Sequence, residues 1–232
     1  MEVHHHPKVE KKNFKEYFFE FIMIFVAVSM GFLAESLHEH YNNKETVQRN
    51  MESLVKNLQS DSSGLVWNIA ANQEIVSWID SLVMLPGSYK DTVYQNQFFY
   101  YVKKLTYSDF FIPDESAFEQ MKSTGALKLI KQNVADSMLK YIQQNKLISE
   151  PKSAIEKWFN VATENLMHLS DIRDAFKGKQ LKLSGSYEQM QEYINCKIAE
   201  MFAINLYIQH MQEQLTNVQS LIPFLKKEYN IQ

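Results

Sequence analysis

The alternation of apolar and polar residues changes character along the chain. From Phe18 to Leu37 apolar residues run almost unbroken, and Phe21 to Ala34 carries no charge. A helix of that length measures about 30 Å, the thickness of a bilayer's hydrocarbon core. Beyond it the pattern becomes periodic. Val47, Met51, Leu54, Val55 and Leu58 keep helical spacing, and Leu65, Ile69, Val76, Ile79 and Val83 extend it past Gly64. Gly31 is the only Gly and no Pro occurs between Lys8 and Ser63. The membrane-type helix is therefore expected to run straight on into the polar part of the chain. Asp61 to Gly64 is the place for a break or kink, and Pro86-Gly87 is a stop.

Shorter elements follow. A second helix is expected from Asp91 or Thr92 to Thr106, with the Phe98–Tyr101 aromatics as core. After a loop at 107–115, Ser116 and Glu119 have capping-box spacing, with Ser116 as the cap, and the short helix should end at a left-handed Gly125. A helical tract spans 134–176. Its Pro151 either begins a new helix, a position where Pro is tolerated, or kinks one. Gly178 to Gly185 reads as a basic, turn-rich connection. A second capping box, Ser186 with Gln189, opens the last helix. There Met201, Ile204, Ile208, Met211, Leu215, Val218, Ile222, Leu225 and Tyr229 step by threes and fours as a coiled-coil-like seam. Glu200, Gln212, Gln214 and Lys226 are assigned to other faces, and Pro223 is expected to bend the end.

These elements predict an all-α protein. One N-terminal transmembrane helix is continuous with a helical-bundle extracytoplasmic domain, whose long first and last helices pack antiparallel. The expected divisions are a cytoplasmic tail at 1–16, the membrane helix at 17–38 and the extracytoplasmic domain at 39–232. Two alternatives remain open for the apolar run: a secretory signal sequence and a buried core helix.

Composition agrees with long helices. Six Gly and five Pro in 232 residues are too few for a turn-rich β fold. A formal net charge of −3 gives no electrostatic case for nucleic acid. The single Cys196 has no intrachain partner and belongs on a buried helix face. His4, His5 and His6 read as a tail. Lys8, Lys11, Lys12 and Lys15 precede the apolar run, whereas Lys44 and Arg49 after it are mixed with Glu39 and Glu45. The positive-inside rule places the N-terminus in the cytoplasm and the bulk outside it, in the periplasm of a bacterium with two membranes.

Candidate chemistry is sparse. Glu20 lies about one turn inside the apolar run, where an ionisable group is costly and marks an interface residue, a polar contact to another membrane helix or a site of proton chemistry. Ala27, Gly31 and Ala34 form a small-residue stripe that permits close helix approach in lipid. Glu35, His38 and Glu39 share a face and provide half of a carboxylate-bridged metal motif. The other close pair, Glu164 with His168, does not complete it, so no metal and no cofactor is expected. No nucleophile motif or phosphate-cradling loop occurs. Asp109, Asp114 and Glu115 around Pro113 read as a turn, and Trp67, Trp78 and Trp158 as core or interface anchors.

Two stretches resemble a known family: Glu20-Phe-Ile-Met-Ile-Phe-Val-Ala-Val-Ser-Met-Gly-Phe-Leu-Ala-Glu35, and Ser116-Ala-Phe-Glu-Gln-Met-Lys-Ser-Thr-Gly-Ala-Leu-Lys-Leu-Ile-Lys-Gln-Asn133. They are similar to segments of an uncharacterised single-pass membrane-protein family of unknown function, found mainly in Bacteroidota. This chain departs from the family pattern at Phe19 and Ala126. The resemblance implies an inner-membrane protein with a helical extracytoplasmic domain, and no activity. The expected function is a non-enzymatic accessory or scaffold subunit of an inner-membrane complex. Its partners would be the lipid bilayer and either another inner-membrane protein or further copies of itself. The alternative is a periplasmic ligand-sensing bundle that signals through a membrane partner.

Overall fold

The structure is a computed structural model that describes residues 13–106, 109–170 and 182–232. Among these residues it is all-α. The helices are α1 (Phe14–Val83), α2 (Thr92–Lys104), α3 (Ser116–Ser123), α4 (Gln132–Ser149), α5 (Lys152–Leu169) and α6 (Tyr187–Tyr229), with a 3-10 turn at Ala126–Leu129. The tail at 1–12, with its histidines and three of the four lysines, lies outside the described residues. So do 171–181, which hold the end of the expected 134–176 tract and most of the connection before Gly185. The chain divides into two compact units, Met1–Arg49 and Asn50–Gln232.

In the first unit α1 is the one element described. Its apolar stretch is long and apolar enough to cross a membrane, and none of that stretch is buried. Phe18, Phe21, Phe25, Met30, Phe32 and Leu37 all face outward. In water such a helix would leave a contiguous apolar surface exposed, which lipid removes.

In the second unit the remainder of α1 packs against α6. From Met51 a line of buried positions in α1 runs through 54, 58, 61, 65, 68, 72, 75, 79 and 82, in alternating steps of three and four, with Val55 and Ile69 buried beside it. No break occurs at Asp61–Gly64; α1 continues through it. Two contacts explain why. Asp61, which in isolation would compete with the helix backbone, is bonded to other elements. Gly64 faces Phe111, whose ring lies 3.3 Å from where a Cβ would be. The glycine is thus a close-approach position rather than a hinge.

Helix α6 repeats the arrangement. Met190, Tyr193, Lys197, Glu200, Ile204, Tyr207, Met211, Gln214, Val218, Leu221 and Leu225 are all buried, again in steps of three and four. The expected seam is thereby corrected in phase. Ile204, Ile208, Met211 and Val218 are buried, but Met201, Leu215 and Ile222 are only half-buried beside the seam. Glu200 and Gln214, assigned to other faces, lie on it. The helix continues past Pro223 to Tyr229 and ends on a left-handed Asn230.

Local signals explain most boundaries. At Ser186 the capping box forms: its hydroxyl accepts from the Gln189 N–H at 3.3 Å, and its N–H donates to Gln189 Oε1 at 2.8 Å. Pro151 caps α5 and separates it from α4. Gly125 is left-handed, with φ of 74°. Ser116, by contrast, is the first residue of α3 and makes no capping bond; Glu115 holds the cap position. An antiparallel bridge, Ser170 with Leu183, clips the end of α5 to the chain entering α6. Of the aromatic cluster in α2, Phe98 and Phe99 are buried and Tyr100 is exposed.

Candidate functional site

One group of polar side chains in the second unit, buried Asp61 and Asn145 among them, converges on an irregular segment, 109–116, between α2 and α3. Four helices each hold this strap by a side chain. From α1, Asp61 accepts the Asp114 N–H at 3.0 Å, and Asn57 Nδ2 donates to Ser116 Oγ at 2.9 Å. From α4, Asn145 Nδ2 donates to Glu115 Oε1 at 2.8 Å. From α5, Lys152 Nζ donates to the Phe111 carbonyl at 2.8 Å. From α6, the Tyr207 hydroxyl accepts the Phe111 N–H at 2.7 Å. Phe111 is buried, and the neighbouring Phe110 ring meets Tyr207 edge-on.

Behind the strap the network continues into the core. The Tyr141 hydroxyl donates to Asp61. Gln214 Nε2 donates to the Tyr141 carbonyl at 2.9 Å and to Asn145 Oδ1 at 2.5 Å. Asp61, Asn145 and Gln214 are thus satisfied by one another or by the strap, as burial of polar groups requires. Burial raises the Asp61 carboxyl above its usual range, against the hydrogen bonds from Tyr141 and Asp114, which lower it. Burial and the bond to Asp61 raise the Tyr141 phenol well above its ordinary value. Burial likewise pushes Tyr207 up to about 12. Asp114, at the surface, is held below the usual carboxylate range by the hydroxyl and N–H of Ser116. Asp61 and the two tyrosines are held in place by burial and bonding.

A second polar cluster lies between α5 and α6. Lys197 Nζ bonds Glu200 Oε2 at 2.7 Å, both side chains almost wholly buried, and the ammonium sits 5.0 Å from the Phe159 ring centre. Burial raises the Glu200 carboxyl, and Lys197 opposes that shift. Cys196 is buried next to this pair, as expected, and accepts from Asn165 Nδ2 at 3.5 Å. Burial pushes its thiol up, away from the reactive thiolate.

The sites expected from sequence are placed as follows. Ala27, Gly31 and Ala34 lie on the exposed apolar stretch of α1, and nothing approaches within 4 Å of where a Gly31 Cβ would be. Glu20 lies at the start of that stretch and is half-buried. His38 pairs with Asn42 at 3.1 Å on the same helix. Among the described residues no group of three or more His, Cys, Asp or Glu is arranged to hold a metal. A shallow cleft of about 180 Å³ opens between α4 and α6 beside Lys140, Asn217 and Phe224.

The strap was not legible in the sequence as a site. Asp109, Asp114, Glu115 and Pro113 signalled only a turn. Polar residues at core-phase positions of three helices, Asp61, Asn145 and Gln214, were the available signal. Comparison with protein-family models, with curated proteins and with solved structures finds no match.

Proposed function

We propose that this protein is a non-enzymatic accessory or scaffold subunit of a bacterial inner-membrane complex. It docks through the first part of α1 and presents a helical periplasmic domain. The observation that carries this reading is the exposed apolar stretch of α1, none of it buried against the chain itself. Lipid is one neighbour that such a surface fits. The Ala27, Gly31, Ala34 stripe gives a second helix a flat line of approach within it. Glu20 is placed to meet a polar group at the membrane interface. The distribution of cations favours a cytoplasmic N-terminus, since Lys8, Lys11, Lys12 and Lys15 precede the apolar stretch and only Lys44 and Arg49 follow it closely. The fully bonded core network is consistent with a scaffold: its side chains bind one another and the strap.

The docking half is tested by replacing Gly31 with Leu in the full-length chain and resolving native membranes on a non-denaturing gel. The expected result is loss of a high-mass species with the protein still in the membrane. An unchanged species would show that the stripe is not the contact.

A further inference from the structure

The strap ends in a feature that the anchoring network does not need. Ile112 lies between buried Phe111 and Pro113, and its side chain is 81% exposed. A branched apolar residue held outward by a segment bonded to four helices is pre-organised. The ordering cost that a loose loop would bear on binding has already been met by folding. Ile112 is flanked by Asp109 and Asp114, with Glu119 following on α3. Lys122 is paired with Glu119 at 3.3 Å, and Lys152, bonded to the neutral Phe111 carbonyl, keeps its charge, so the tip stays net acidic because Asp109, Asp114 and Glu115 outnumber that one cation.

We propose that the 109–116 strap is a docking tip for a second, different protein. Ile112 inserts into an apolar pocket on that partner, and lysine or arginine side chains around the pocket meet Asp109 and Asp114. Charge complementarity selects this occupant. An anionic bilayer surface and a nucleic acid would both be repelled by the acidic flanks. A second copy joined by two-fold symmetry would set the same acidic flanks against each other. The proposal rests on the reading of the protein as a subunit and adds where its extramembrane partner binds.

The test places a photo-cross-linking benzophenone amino acid at Ile112 of the full-length chain, irradiated in native membranes. The expected product is one discrete adduct with a different protein. Its cross-linked peptide contains lysine or arginine, and its yield falls several-fold in Asp114→Asn and in high salt. Because Ile112 is exposed, the substituted protein should keep its far-ultraviolet circular dichroism and melting temperature. An adduct to lipid or to a second copy, an adduct insensitive to charge, or no adduct at all overturns the proposal. Co-purification of partners with the unmodified protein separates the two readings. If a partner is retained while Ile112 yields nothing, the strap proposal fails and the subunit reading stands.

Discussion

The Tyr141 hydroxyl donates to the Asp61 carboxylate, joining α4 to α1 at the point where Asp61 also holds the Asp114 N–H of the strap. One buried carboxylate therefore couples two helices and a loop. Replacing Tyr141 by Phe leaves Asp61 buried without its hydroxyl donor. The expected cost is about 1–3 kcal/mol, read by denaturant unfolding of the detergent-solubilised protein.

The same carboxylate gives a pH dependence with a definite sign. The folded-state pKa of Asp61 is raised, with desolvation as the largest cause. Its contribution to stability is therefore fully present below the ordinary carboxylate range, and is lost as pH rises through the raised folded value. Asp61→Asn keeps an acceptor and removes the charge. Relative to this variant, the natural protein should gain stability as pH falls from neutrality toward 4. A difference between the two that does not change with pH would show that Asp61 is not held in a desolvated state.

The buried pair Lys197 and Glu200 should behave asymmetrically. Lys197→Met alone strands a carboxylate in the α5–α6 interface, at a cost of about 3–5 kcal/mol. Replacing both, Lys197→Met with Glu200→Leu, should recover most of that loss. Thermal unfolding of the two single variants and the double variant measures the coupling.

Gly185 is the tightest glycine described. An added Cβ would lie 2.8 Å from Gln189 Oε1 and 3.2 Å from the Leu169 Cα, so both the α6 cap and the end of α5 would have to shift. Gly185→Ala should destabilise by about 1–3 kcal/mol. Gly31→Ala, with nothing within 4 Å, should leave unfolding of the helical unit unchanged.

The membrane reading predicts a depth-dependent charge effect. Val28, near the middle of the exposed apolar stretch, tolerates Leu, whereas Val28→Arg should cost about 2.5–3.5 kcal/mol of insertion. Alkaline carbonate extraction of membranes would show this as a shift from pellet to supernatant.

The long helices were legible because apolar spacing, the Pro86-Gly87 stop, Pro151 and one capping box are local signals. Their buried faces were harder to place, because both seams contain polar residues. Gln214, Lys197 and Glu200 occupy core positions of α6, so the apolar pattern alone drew the seam through Leu215 and Ile222, at its edge. Asp61 suggested a break in α1 for the same reason; its partners Tyr141 and Asp114 lie far away in sequence. A buried polar residue is read as surface until its long-range partner is known, and the strap is made almost wholly of such pairs. The Ser116 signal failed locally: the Glu119 N–H donates to the Glu115 carbonyl at 2.9 Å, so the helix starts one residue earlier and leaves that N–H unavailable to the Ser116 hydroxyl.

The most direct measurement is purification of the full-length protein from its native membranes in mild detergent, with identification and quantitation of everything that accompanies it. The account predicts a different integral membrane protein at fixed stoichiometry, lost in the Gly31→Leu variant. A clean homo-oligomer without another protein would contradict the accessory-subunit reading.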